Sequence, residues 1–107
     1  MSVDLELYRI FTAVAEAGSF SEAANRLFLT QPAVSQAIQR LEQQLDVRLF
    51  SRWHRGVTLT QEGQLLYQHA SSALQVLYSG EQKLQRMQNL KEGLLRLGAA
   101  DTITREF

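Results

Sequence analysis

Residues 19–45, SFSEAANRLFLTQPAVSQAIQRLEQQL, constrain the fold more than any other stretch. They read as two short helices joined by a tight connection, with Thr30 and Pro32 marking the start of the second. In that second helix Val34, Ile38, Leu41 and Leu45 follow steps of four, three and four, so they share one face. At about 100° per residue the opposite face carries Pro32, Gln36, Gln39 and Gln43, with Ser35 and Arg40 at its flanks. Half of the helix is built for burial. The other half offers amides and hydroxyls that both donate and accept, a set suited to the base edges exposed in the major groove of DNA.

Around this pair the chain supplies one small domain. Its 107 residues bury a modest core. Without cysteine it has no disulfide framework and no thiolate metal site. No apolar run approaches a membrane span, and MSVDLELYR lacks the basic flank and apolar core of a secretory signal. The formal net charge of zero argues mildly against nucleic acid, but its distribution does not. Residues 1–25 hold Arg9 against Asp4, Glu6, Glu16 and Glu22, whereas residues 26–60 hold Arg26, Arg40, Arg48, Arg52 and Arg55 against Glu42 and Asp46. A locally positive surface is therefore available on a neutral whole.

The flanking segments follow from the same periodicities. Asp4 to Ala17 reads as a helix with Leu7, Ile10, Phe11, Val14 and Ala17 on its buried face, Asp4 as N-cap and Gly18 as a left-handed C-terminal residue. Ser19-Phe20-Ser21-Glu22 fits a capping box ahead of a short helix over about 20–27, whose Ala23 and Ala24 permit close approach. Leu29, in the connection, is expected to plug the core. In VRLFSRWHRGVTL, Val47 and Leu49, then Val57 and Leu59, alternate with polar neighbours, which predicts a two-stranded hairpin turning at Trp53-His54-Arg55-Gly56. Arg52 and Arg55 sit at its tip as phosphate contacts, and Trp53 is expected to pack under it.

Thr60 caps a long helix, about 61–90, which at 1.5 Å per residue spans about 45 Å. Leu66, Ala70, Ala73, Leu77, Gly80, Leu84 and Met87 keep the four-and-three spacing of a two-helix seam, which predicts a homodimer contact. Tyr67, Leu74 and Tyr78 form a second stripe that could pack back on the N-terminal helices. GLLRLGAA, residues 93–100, then reads as a linker glycine followed by a short apolar strand, the front of a further domain.

Four ordered segments carry a family resemblance: AGSFSEAA, TQPAVSQAI, the LF-x-R-x-x-R of the hairpin, and the LT-x-x-G that enters the long helix. Together, over residues 4–65, they closely resemble the N-terminal domain of LysR-type bacterial transcriptional regulators. The resemblance implies a mainly α fold, a winged helix-turn-helix of three helices plus a small β-hairpin wing (residues 1–60). A dimerising linker helix (61–92) and the start of a truncated effector-binding domain (93–107) would follow. It implies double-stranded DNA as partner, bound as a dimer at an interrupted palindrome, and a cytoplasmic protein associated with the nucleoid. Base reading falls on Gln31, Pro32, Ser35, Gln36 and Gln39. Backbone contacts fall on Ser21, Thr30, Arg40, Arg52 and Arg55. Family members assemble as dimers and often tetramers, and take a small-molecule effector through the domain that follows. Thr102 lies near that inducer site, but the rest of the site is missing, so this chain is expected to bind no effector, no cofactor and no metal. One departure is Asp46 where the family has glycine, at the end of the second helix of the pair, a position that favours the left-handed conformation.

A rival reading is a winged-helix module that binds protein, favoured by the zero net charge. Catalysis has no support: His54 and His69 lie on different elements, and no paired carboxylates, metal-spaced ligands, nucleophile motif or glycine-rich phosphate loop occurs.

Overall fold

Side chains close the N-terminal end of each helix as the sequence predicts. In the computed structural model, which describes residues 3–53 and 56–100, the first helix is α1, Leu5–Ala17. The Asp4 carboxylate accepts from the Glu6 N–H at its start, and Gly18 ends it at φ 71°, where a side chain would be strained. Helix α2, Phe20–Leu27, is capped by Ser19, whose hydroxyl accepts from the Glu22 N–H at 3.2 Å. The Glu22 carboxylate turns to Arg26, 3.5 Å away, so the capping box is made from the serine side. Phe28 then takes a left-handed conformation at φ 58° and points to solvent.

Helix α3, Gln31–Leu45, starts at Thr30, which accepts from the Ala33 N–H, and ends at Asp46, φ 57°. Aspartate thus fills the left-handed role that glycine would fill at lower cost. The predicted stripe is the buried one: Val34, Ile38 and Leu41 are enclosed and Leu45 packs at the margin.

These three helices close around Leu7, Ile10, Phe11, Val14, Phe20, Ala23 and Ala24. The hairpin supplies a lid. Strands β1, Phe50–Trp53, and β2, Gly56–Leu59, pair antiparallel with Phe50 opposite Leu59 and Trp53 opposite Gly56. The strand begins later than the alternation suggests. Leu49 and Phe50 are both buried, which strict alternation forbids, because Leu49 still lies in the connection and only Phe50 opens the strand. Phe50 meets Phe11 at 5.5 Å and Phe20 at 6.1 Å between ring centroids, tilted geometries that add about 0.5–1.5 kcal/mol each beyond burial.

Two further expectations fail. Leu29 is 39% exposed, its backbone fixed at the end of α2 by the left-handed turn at Phe28, which ties the Leu29 N–H to the Ala24 carbonyl at 2.9 Å. Trp53 is 62% exposed and lies across the hairpin surface, donating its indole N–H to the Thr58 hydroxyl at 2.9 Å.

Helix α4, Gln61–Ala100, enters through Thr60, whose hydroxyl accepts from the Gly63 N–H and donates to the Arg48 carbonyl. The chain divides into two units, Met1–Leu74 and Gln75–Phe107. In the first, Leu66, Tyr67 and Ala70 of α4 pack on the core, and Tyr67 donates to the Glu16 carboxylate at 2.8 Å. In the second, the helix continues through 93–100, where the sequence pattern predicts a glycine break and a strand. A strand needs a neighbour to bond, and none occurs among the described residues beyond 60, while glycine in a helix costs only about 1 kcal/mol.

Candidate nucleic-acid interface

The exposed side of α3 is the polar side. Gln31, Pro32, Gln36, Gln39 and Arg40 are exposed and Ser35 is half-buried at the edge of the face. Their carrier is held by the buried stripe on the opposite side, so the face is presented on a rigid element rather than a loop. The helix start is partly spent on its own cap. Thr30 satisfies Ala33, and Pro32 has no N–H, which leaves the Thr30 hydroxyl proton and the Gln31 N–H as donors for an anion there.

Arg52 is held at the start of α2 by an aromatic shelf. Its guanidinium lies 4.8 Å from the centroid of the Phe20 ring, a cation–π contact that fixes the long side chain beside the start of α2. Ser21 is exposed one residue further along α2, with its hydroxyl 3.1 Å from that of Ser19. The structure therefore gathers Arg52, Phe20 and the Ser19–Ser21 pair into one polar edge. Arg55 and His54 lie outside the described residues, as does Thr102.

Nothing in the residue pattern reveals how the wing is seated. The Gly18 carbonyl accepts from the Val57 N–H at 3.0 Å, and the Leu49 carbonyl accepts from the Thr60 N–H at 2.9 Å. Gly63 is packed so closely beneath the wing that a Cβ there would lie 2.1 Å from the Leu49 carbonyl oxygen. Glu42, which in the sequence counts only as a charge, accepts from the Leu49 N–H at 2.8 Å and the Phe50 N–H at 3.4 Å through one carboxylate oxygen. Its position next to buried Leu41 is the available signal, since an acid bordering a buried stripe must find donors.

The seam residues divide by unit. Leu66 and Ala70 pack against their own core, and Ala73 is exposed. With Leu5, Tyr8 and Leu74 they line a shallow apolar groove between α1 and the first turns of α4. In the second unit Leu77, Gly80, Leu84 and Met87 are all exposed. The second stripe also splits: Tyr67 and Leu74 are half-buried, whereas Tyr78 is exposed and its hydroxyl accepts from Gln82. Among the described residues no group of three or more His, Cys, Asp or Glu could hold a metal ion, and no helix is long and apolar enough to cross a membrane.

Comparison with known proteins gives this geometry its family. Residues 5–64 match the family model described as "Bacterial regulatory helix-turn-helix protein, lysR family". An HTH-type transcriptional regulator in the ibpB–leuC intergenic region of Azotobacter vinelandii is 48% identical over 101 residues, 94% of this chain and 70% of that protein. A probable RuBisCO transcriptional regulator of Cyanidioschyzon merolae is 43% identical over 92% of this chain, and the chain spans 33% of its length. Among solved structures, the BenM_DBD/catB site 1 DNA complex superposes with a TM-score of 0.75 at 36% identity, covering 79% of this chain and 96% of that one. Full-length CbnR complexed with its target DNA superposes at 0.70 with 34% identity, covering 78% of this chain and 29% of that one. The polar face of α3, the arginine-bearing wing and the helix that follows are those of a winged helix-turn-helix, and the chain belongs to the lysR family of bacterial regulatory helix-turn-helix proteins.

Proposed function

We propose that this chain is the sequence-specific DNA-binding part of a transcription factor, and that it binds an interrupted palindrome as a homodimer joined through α4. The observation that carries the reading is the exposed Gln31, Pro32, Gln36, Gln39 face on a helix whose opposite stripe, Val34, Ile38 and Leu41, is buried. Structures of relatives at 33–36% identity, the BenM_DBD and CbnR_DBD complexes, hold DNA. In this chain Gln36 and Gln39 suit adenine N6 and N7, Ser35 suits either base type, and Arg52, Ser21, Thr30 and Arg40 suit phosphate. The role is binding, with no catalytic group assigned, and its setting is the cytoplasm, where a bacterial chromosome is met.

The dimer reading rests on the exposed apolar residues Leu77, Leu84 and Met87 and on the groove at Leu5, Tyr8 and Ala73, surfaces that a second copy would cover. Two recognition helices would then sit one helical turn, or a multiple of it, apart on the DNA. In the whole protein, tetramer assembly and effector response would belong to a domain beyond this chain.

Selection from random duplex DNA, followed by titration of the winning site at several salt concentrations, tests the proposal. An enriched interrupted palindrome with a steep salt slope supports it. Absence of enrichment, or equal competition by unrelated DNA with a folded protein, would give the field to the protein-binding module.

A further inference from the structure

The recognition face and the wing arginine lie on different elements, so their relative placement needs a physical link. From Gln36 the α3 helix runs six residues to Glu42, and from Glu42 the chain takes a sharp turn to the wing. Glu42 holds both sides of that turn. Its main-chain carbonyl accepts from the Asp46 and Val47 N–H groups, closing the left-handed end of α3. Its carboxylate reaches past the turn to the N–H groups of Leu49 and Phe50 at 2.8 and 3.4 Å. Leu49 is fully buried, so its N–H cannot turn to water for a partner. Phe50 is the first residue of β1, and Arg52 stands two residues along that strand.

We infer that Glu42 is a positioning residue for DNA binding: by receiving the Leu49 and Phe50 N–H groups on one oxygen, it sets Arg52 in register with the base-reading face of α3. The inference rests on the reading of Arg52 as a phosphate contact. A carboxylate suits the task because hydrogen bonds to a charged acceptor are shorter and stronger than neutral ones. It must also span from the helix flank to the strand, a reach that the shorter aspartate lacks by one methylene.

The test compares four variants on one selected site: Arg52→Ala, Glu42→Leu, Glu42→Gln and Glu42→Asp. The readouts are the salt slope of binding, the base-preference profile and the unfolding midpoint. Removing one phosphate interaction lowers the slope by about 0.9, and removing its counterpart in the second half-site as well lowers it by about 1.8. Arg52→Ala defines that drop. Glu42→Leu and Glu42→Asp are expected to reproduce it with the preference profile unchanged, and Glu42→Gln, whose amide oxygen still accepts, to keep the wild-type slope.

If Arg52→Ala lowers the slope and folded Glu42→Leu does not, the positioning role is overturned while the phosphate contact stands. If Arg52→Ala leaves the slope unchanged, the phosphate reading itself fails. Should Glu42→Leu not fold, Glu42→Asp against Glu42→Gln decides, and equal slopes for those two overturn the inference. A flattened base-preference profile in any folded Glu42 variant also overturns it, since a general loosening of α3 would produce that.

Discussion

Gly63→Ala tests how the wing is seated. At an open position in a helix this change gains up to about 1 kcal/mol, because alanine loses less backbone freedom on folding. Gly93 and Gly80 are such positions, with nothing within 4 Å of an added Cβ. Gly63 is not. Its Cβ would meet the Leu49 carbonyl oxygen at 2.1 Å and the Leu59 side chain at 3.0 Å. Backbone must therefore move by about 0.9 Å before the first contact even reaches 3.0 Å. The atom that must yield belongs to a fully buried residue whose carbonyl accepts from Thr60 and whose N–H is held by Glu42. Forcing such a shift costs about 1–3 kcal/mol, and each hydrogen bond weakened adds about 1 kcal/mol. Set against the helix gain, Gly63→Ala should destabilise the Met1–Leu74 unit by about 1–3 kcal/mol, a fall of roughly 5–20 °C in Tm for a domain of this size. Urea unfolding read by far-UV circular dichroism and by the fluorescence of Trp53, the sole tryptophan, measures it. Gly93→Ala serves as the control that should not lose stability. A Gly63→Ala protein as stable as wild type would refute the close seating of the wing on α4.

Other predictions address the site, the dimer and the root of α4. Gln36→Ala should relax preference at one base pair of each half-site, costing about 1–3 kcal/mol on the selected site and little elsewhere, as competition with single-base variants would show. Leu84→Glu, at a residue 66% exposed in the single chain, should leave the unfolding midpoint of the first unit unchanged while shifting sedimentation from dimer to monomer at micromolar concentration. Its hydrogen bond to Glu16, with burial and the Glu16 charge adding to it, raises the Tyr67 phenol above its usual 10.0. A raised phenol keeps its proton longer in the folded state, so this stabilisation is present below pH 10 and is lost as pH climbs through the folded value. Tyr67→Phe should therefore flatten the decline in stability above pH 10, and an identical decline in both proteins would show that the bond to Glu16 does not stabilise the fold.

The core and the recognition helix are legible in the sequence because their signals are local and periodic. Val34, Ile38 and Leu41 repeat at helical spacing, and Asp4, Gly18, Ser19 and Thr30 are residues whose chemistry marks helix ends. The exposed positions of Gln36 and Gln39 follow directly from the buried ones. What fails depends on turn geometry and on contacts between distant segments. Leu29 looks like a plug because it is apolar, but its exposure follows the left-handed turn at Phe28, which composition does not announce. Leu49 and Phe50 look like alternation broken by chance, and only the turn closed by Glu42 explains why both are buried. The size of Trp53 argues for packing, whereas a two-stranded hairpin has an outer face and the indole bonds along it to Thr58. The strand expected after Gly93 has the right composition but no neighbour among the described residues, so the cooperative helix continues instead.

If α3 lies in the major groove with Gln36 at a base edge, as proposed, purine N7 atoms of the selected site are among its contacts. Replacing each purine of the selected site in turn by its 7-deaza analogue removes the N7 acceptor from the major groove and leaves pairing and the minor groove intact. Affinity should fall at two symmetry-related clusters, one helical turn or a multiple of it apart, and Gln36→Ala should erase the sensitivity at one position in each. Uniform indifference to N7 removal, with binding otherwise intact, would mean that α3 does not read the major groove.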